Sequence, residues 1–238
     1  MNKNISSIEF PINLNQVQQK FLDSLIKGNE ELARSIIIEL LSSDINKIRI
    51  LVDVILSSLS IMSDLYNRGK IGETDRLYIY TVATDIVTSI KFAPYVDNIK
   101  NATSLSIASS EESIYLGKIA SVALYLLGWN SYYLGNVESK IDPFFDIDIQ
   151  RFVLRKFQNS KGIVVITIFS SNENSLRFLV QTLKSLKPRI SSDLRIAIFT
   201  QESALSFAQT LESDHVSTNI NELLNWLESE YKEALSDS

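Results

Sequence analysis

A change in the hydrophobic pattern near Thr103 constrains the fold most. From there to the end of the chain, short apolar strands alternate with amphipathic helices. Strands that alternate with helices form right-handed crossovers and a parallel sheet covered on both faces. The pattern therefore predicts an α/β fold, with a flavodoxin-like (Rossmann-like) five-stranded parallel-sheet domain of strand order 2-1-3-4-5. The predicted strands are Leu105–Ala108, Ser131–Leu134, Ile163–Phe169, Leu194–Phe199 and a short one near Val216, and the predicted helices are Ile114–Leu127, Asp146–Phe157, Leu176–Leu186, Ala204–Leu211 and Ile220–Ala234.

In the first hundred residues, apolar residues instead recur with the spacing of a helix. Apolar residues recur at three- and four-residue steps from Leu14 to Leu25, which places them on one helical face. We expect Asn29 to cap a second helix and Asp44 to cap a third, since short polar side chains satisfy free N–H groups at helix starts. A fourth helix is predicted from about Thr74 to Ile90. Four helices with short connections predict an N-terminal four-helix bundle.

The two patterns divide the chain into two predicted domains. A cap-like helical bundle is expected over residues 1–95, and an α/β domain over residues 100–238. The segment between them contains Pro94, which disfavours continuation of the fourth helix.

Composition excludes several classes of chemistry. The chain has 238 residues, no cysteine and a single histidine, His215, so thiolate catalysis, disulfides, cysteine metal sites and multi-histidine metal centres are ruled out. We expect His215 to form a structural pair with its neighbour Asp214. The formal net charge is −5 and no basic run is present, which argues against direct nucleic-acid binding. No apolar run is long enough to span a membrane and no signal peptide is visible, so we expect a cytoplasmic protein.

One motif lies between the first strand of the α/β half and its helix. It reads Glu-Glu-Ser-Ile-Tyr-Leu-Gly over residues 111–117. This segment resembles the Asp-x-His-x-x-Gly signature of cobalamin-binding domains with a helical cap, such as those of methionine synthase, corrinoid methyl carriers and light-sensing cobalamin repressors. Gly117 matches the glycine of the signature, but Ile114 stands at the position of its metal-binding histidine. An isoleucine side chain has no lone pair for cobalt.

Further segments carry the same resemblance. Met62–Ile71 is similar to the family segment in which a tryptophan covers the upper face of the corrin, and Tyr66 falls at that tryptophan. Leu77 replaces an upper-face histidine of the family. Thr167 matches a hydroxyl residue beside the buried nucleotide tail, and Phe199-Thr200 replaces a pair of glycines there, so the phenyl ring is expected to obstruct the tail.

These departures lead to the cofactor prediction. We expect no cofactor, with cobalamin disfavoured by Ile114. We expect no catalytic and no metal-binding residues, and therefore no enzyme. The candidate cofactor-binding residues belong to an expected cleft between the two domains: Tyr66, Arg76, Tyr80, Ser113, Gly117 and Thr167.

Three of these residues have simpler interpretations. Tyr66 continues an apolar helical stripe and is favoured as a core residue. Arg76 is favoured as one side of a solvated charge pair with Asp75 and Asp64 rather than as a ligand contact. Ser113 is expected to cap the helix that follows the motif.

The function that this resemblance favours is a non-enzymatic regulatory or sensor protein. It would act through protein partners or another small ligand in the cleft. The resemblance also implies a homodimer and a separate transcription regulator as partner. Two alternatives stay open at this point: a cobalamin-binding corrinoid carrier for methyl transfer, and a pure scaffold or interaction protein.

Overall fold

A computed structural model describes residues 13–91, 98–137, 143–190 and 193–236 of the chain. Its contacts cluster into two compact units, Met1–Val82 and Ala83–Ser238. The division falls within one helix, Glu73–Ile90. Parts of both predicted domain ends, including Pro94, lie outside the described residues.

The first unit begins with two capped helices, α1 (Leu14–Ile26) and α2 (Glu30–Leu41). The Asn29 side chain accepts a hydrogen bond from the Leu32 N–H at 3.0 Å, so the predicted cap is confirmed. Gly28 joins the helices with a φ of +69°, a left-handed conformation that glycine adopts without strain.

The third predicted helix is a run of three segments. It comprises α3 (Lys47–Arg49), a π-helical stretch (Ile50–Leu56) and α4 (Ser57–Asn67). Asn46, not Asp44, caps this run, because the Asn46 carboxamide oxygen accepts from the Ile48 N–H at 2.9 Å. The predicted Asp44 cap is therefore wrong. Helix α1 packs against α2, the π-helical stretch and α4.

Helix α5 (Glu73–Ile90) carries one continuous buried stripe. Its members recur at three- and four-residue steps and are at most 4% exposed: Ile79, Val82, Ala83, Ile86, Val87 and Ile90. This spacing is why the segment is helical.

The second unit is built on a five-stranded parallel sheet. Its strands are β1 (Ala102–Ala108), β2 (Asn130–Leu134), β3 (Ile163–Phe169), β4 (Leu194–Phe199) and β5 (His215–Ser217). The observed order is β2-β1-β3-β4-β5, which confirms the prediction. The connecting helices are α6 (Glu111–Leu126), α7 (Pro143–Phe157), α8 (Glu173–Lys184), α9 (Glu202–Ala208) and α10 (Ile220–Ser236).

The two faces of this sheet differ in polarity. Alternate strand residues such as Leu105, Ile166 and Ile196 form one apolar core with buried side chains of α7 and α8. The residues between them point to the other face, since side chains alternate along a strand. That second face is contacted by α6 and α10. It includes the polar residues Ser106 and Thr167, which lie side by side on β1 and β3.

Within the described parts of the chain, none of the helices combines the length and apolarity that crossing a bilayer requires.

Candidate functional site

The motif at the start of α6 forms a capping box. The Ser113 hydroxyl accepts from the Ser110 N–H at 3.1 Å and donates to the Ser110 carbonyl at 2.9 Å. Ser110 is thus the N-cap, and Ser113 completes the box from three residues later. Ser113 is 6% exposed, and these local bonds occupy its hydroxyl.

The rest of the motif is held against the sheet by Tyr133 on β2. The Tyr133 hydroxyl donates to the Ile114 carbonyl at 3.2 Å, and burial raises the pKa of Tyr133 to about 12. A β-carbon added at Gly117 would lie 3.1 Å from the Tyr133 ring and 3.4 Å from the Phe169 ring. Gly117 therefore allows close packing of α6 on the sheet.

The carboxyl ends of β3 and β4 are filled by aromatic rings. Phe169 and Phe199 lie with ring centroids 5.3 Å apart, and Phe199 is 7% exposed. The cavity that these rings share with Ser113 and Thr200 has a volume of about 20 Å³. That space holds about one water molecule, which needs about 10–15 Å³ of volume measured in this way.

Buried hydroxyls lie on the face of the sheet that α6 covers. The hydroxyls of Ser104 and Ser106 on β1 are buried and have no hydrogen-bond partner among the described residues. Thr167, 2% exposed, sits beside Ser106. Buried polar atoms are normally paired, so these hydroxyls are the feature of the second unit that suits a polar guest.

In the first unit, Arg76 is held over two tyrosines. Its guanidinium carbon lies 4.6 Å from the Tyr66 ring centroid and 5.9 Å from that of Tyr80. Glu73 binds the guanidinium through two bonds of 2.8 and 2.6 Å. This hydrogen bond from Arg76 lowers the pKa of Glu73, and the hydrogen bond between Tyr66 and Glu73 raises the pKa of Tyr66. We call Tyr66, Glu73, Arg76 and Tyr80 the arginine clamp.

The clamp corrects two expectations. Arg76 forms its ion pair with Glu73, because residues three apart on a helix face each other. Asp75 instead accepts from the Gly72 N–H at 3.1 Å. Tyr66 is only half-buried and stacks under the guanidinium, so it is not the core residue that the apolar stripe favoured.

The histidine prediction is also wrong. The His215 ring stacks on Trp226, with centroids 4.6 Å apart and planes 5° from parallel. Asp214 instead accepts from the Ile196 N–H at 2.7 Å and from Lys187 at 2.9 Å. Burial lowers the pKa of His215, whose Nε2 atom has no partner among the described residues. The described ranges also contain no cluster of three or more His, Asp or Glu side chains that could hold a metal ion.

The structure brings only part of the predicted site together. Tyr66, Arg76 and Tyr80 form the clamp of the first unit, whereas Ser113, Gly117 and Thr167 belong to the second unit. The expected cleft between the units stays a prediction. The sequence analysis missed Glu73, although its three-residue spacing from Arg76 was visible. It also missed the alternating Ser104 and Ser106, although serines are unusual in a buried apolar strand.

The helical segment carries a family match. Residues 17–89 match the family described as B12 binding domain. The matched segment covers less than a third of the chain. None of the curated proteins matches the sequence of the chain.

Solved structures show where the fold recurs. The monomethylamine corrinoid protein of Methanosarcina barkeri is 11% identical, with a TM-score of 0.64, over 95% of this chain and 100% of that one. A novel cobalamin-binding protein from Desulfitobacterium hafniense DCB-2 is 16% identical, with a TM-score of 0.42, over 92% of this chain and 99% of that one. The first likeness confirms the fold: a helical region followed by a five-stranded parallel sheet.

The second unit does not fit a B12 cofactor bound through histidine with its nucleotide inserted. Ile114 presents an aliphatic side chain where the resemblance puts the ligand. The space beside Phe169 and Phe199 is far smaller than a benzimidazole nucleotide. The hydroxyls of Ser104 and Ser106 have no partner among the described residues, and they lie beside Val165 and Thr167, before the Phe169 ring at the end of β3. The expectation of no cofactor at all nevertheless finds no support in the family match.

Proposed function

We propose that this chain is a non-enzymatic corrinoid carrier that binds the cofactor without histidine on cobalt and leaves the nucleotide outside the sheet. The proposal is carried by the B12 binding domain match over residues 17–89, the segment that contains the arginine clamp. It favours the carrier alternative over the regulatory role that the sequence favoured. A bound corrinoid would supply a cobalt centre able to carry a methyl group.

The arginine clamp suits the edge and face of a planar, amide-rimmed ring. Arg76 has five N–H donors and uses two of its nitrogen atoms on Glu73, so further donors are available for amide carbonyls. The Tyr66 ring beneath it offers a flat surface for stacking. Because Glu73 neutralises Arg76 locally, the clamp would bind an uncharged amide periphery without needing an anion.

The second unit offers no cobalt ligand at the position of the motif histidine. Ile114 lies on the first turn of α6, and its carbonyl is already held by Tyr133. The Phe169 and Phe199 rings exclude a nucleotide from the carboxyl edge of the sheet. Cobalamin is therefore expected to bind with its own base still on cobalt.

The test is retention of corrinoids by the purified protein. The chain is incubated in the dark with hydroxocobalamin, or with cobinamide, which lacks the nucleotide, and is then desalted. We expect near-stoichiometric retention of both, with the base-on visible spectrum for cobalamin. Arg76→Ala should weaken retention by about tenfold, the equivalent of about 1.4 kcal/mol. Arg49→Ala is the matched control, since Arg49 forms a similar ion pair with Asp53 but lies outside the clamp.

Three outcomes would overturn the proposal. A colourless protein after desalting would remove corrinoid binding and favour the scaffold alternative. Retained cobalamin with a base-off spectrum would mean that the chain admits the nucleotide after all. Equal losses for Arg76→Ala and Arg49→Ala would remove the clamp from the binding site.

The remaining expectations from sequence stay predictions. These are the homodimer, the transcription-regulator partner, the regulatory role and the cytoplasmic location. Light scattering of the purified chain would test the first of them, because a dimer doubles the mass of 26.9 kDa.

A further inference from the structure

The second unit has a cavity at the edge of the sheet opposite the B12 motif. It lies where β1 and β2 begin, beside Thr103 and Ser131, whereas the motif follows the carboxyl end of β1. Its volume is about 800 Å³. Cavities that bind small organic molecules span about 300–1,000 Å³.

The wall of this cavity is positively charged. Among the described residues that line it are Lys91, Lys100 and Lys161, and no Asp or Glu. Lys100 is already paired, since Glu228 accepts its bonds from behind the wall. Lys91 and Lys161 form no ion pair within the described parts of the chain. Two uncompensated cations at one cavity contrast with the net charge of −5 for the whole chain.

Among the lysines of this wall, Lys91 gives the strongest indication of a bound anion. Its ammonium group donates to the Ser121 hydroxyl at 2.8 Å and to the Ser131 carbonyl at 3.1 Å, both neutral acceptors. An ammonium has three protons, so one is left for a ligand. Burial, and secondarily Lys118, lowers the pKa of Lys91 to about 8, which keeps the group charged at neutral pH. Desolvating an unpaired charge costs free energy that a bound anion would offset.

Two aromatic side chains also line the cavity. Tyr125 lines the cavity with its ring centroid 5.9 Å from the Lys91 nitrogen. Trp129 also lines it and is fixed in place, because its indole N–H donates to Glu228 at 2.8 Å. A flat ring attached to an anionic group would therefore lie against Tyr125 while its charge reaches Lys91.

We propose that this cavity binds a small organic anion, a carboxylate or a phosphate on a planar ring, with Lys91 as its principal counter-ion and Lys161 at the rim. The site is independent of corrinoid binding, because it lies at the other edge of the sheet and shares no residue with the clamp or the B12 motif. A carboxylate and a phosphate can both form an ion pair with a lysine, so an experiment is needed to decide which of the two ligand classes binds.

Isothermal titration of the full chain tests the proposal with two matched pairs of probes. Adenosine monophosphate is compared with adenosine, and indole-3-acetate with indole. We expect at least one anion to bind at least about tenfold more tightly than its neutral partner. Lys91→Met should weaken that binding by about tenfold or more, and Lys161→Met by about two- to threefold, since exposed charges contribute less. Lys232→Met removes an exposed lysine of α10 away from the cavity and should change nothing.

Trp129 reports on the location of binding. In a Trp226→Phe background, which leaves Trp129 as the remaining tryptophan, the bound anion should quench or shift its fluorescence. Binding of the phosphate pair alone or of the carboxylate pair alone would support the proposal and assign the ligand class. The proposal is wrong if neither anion binds, if Lys91→Met and Lys232→Met behave alike, or if Trp129 is unaffected. If Lys91→Met fails to fold by circular dichroism, Lys161→Met and the Trp129 signal decide.

Discussion

Among the surface carboxylates of the second unit, Glu228 is the one whose replacement should lower stability most. From α10 it accepts a hydrogen bond from the Trp129 indole N–H at 2.8 Å and two from the Lys100 ammonium at 2.7 and 2.5 Å. Trp129 is 2% exposed, and the side chains of Lys100 and Glu228 are 18% and 25% exposed. One carboxylate thus joins the last helix to the beginnings of β1 and β2.

Glu228→Ala should cost about 1–4 kcal/mol of unfolding free energy. Leaving the buried Trp129 N–H without an acceptor costs about 1–3 kcal/mol. The partly exposed ion pair with Lys100 adds no more than about 1 kcal/mol, because solvent screens it. Glu228→Gln keeps an oxygen that can accept from Trp129 while losing the charge, so its cost should be about 1 kcal/mol.

Urea denaturation followed by tryptophan fluorescence measures these costs. Glu233→Ala is the control, because Glu233 is exposed on the same helix and should change stability by less than about 0.5 kcal/mol. The reasoning is refuted if Glu228→Gln is as destabilising as Glu228→Ala, since the Trp129 bond would then not be the source. A Glu228→Ala cost equal to that of Glu233→Ala would refute it as well.

Two further predictions follow from single residues. Gly162→Ala should lower the free energy of unfolding by several kcal/mol, because Gly162 has a φ of +78° and an added β-carbon would lie 2.0 Å from the Asn101 carbonyl oxygen. Gly69→Ala is the control: Gly69 has a φ of +65° and open space around it, so the loss should be only about 1–2 kcal/mol. Equal shifts of the two urea midpoints would contradict this prediction. Burial lowers the pKa of His215 in the folded chain, so the unfolded chain binds the proton more readily and stability should fall as pH drops below about 6.5. His215→Gln should flatten that part of a stability–pH curve, and an unchanged slope would show that the stacked His215 is not its cause.

The sequence was sufficient for the architecture because the signals for it are local. The short apolar run around Ile166 and the helical spacing around Ile86 each depend on neighbours within a few positions. Asn29 was correctly predicted as a cap for the same reason. The prediction of Asp44 as a cap was wrong because Asn46 lies two residues closer to the helix and also has a side-chain oxygen that accepts a hydrogen bond.

The candidate site was predicted less well because its contacts depend on packing. Ser113 and Gly117 were predicted as cofactor-binding candidates, which stays a prediction; the contacts that the structure shows for them are capping and close packing. Glu73 was overlooked as the partner of Arg76. The stacking of His215 on Trp226 joins residues eleven positions apart on different elements, which no periodicity reveals.

The sequence by itself determined the helices, the five parallel strands and their order, and the absence of cysteine and multi-histidine chemistry. The resemblance already implied that Phe199 obstructs the carboxyl edge of the sheet, and only the tertiary structure decided that Phe169 packs against it there. It also decided that Lys91 faces a cavity with two neutral partners. The physical reason is that hydrophobic periodicity fixes which side of an element is buried, whereas the partner of a buried group is set by the elements that fold onto it.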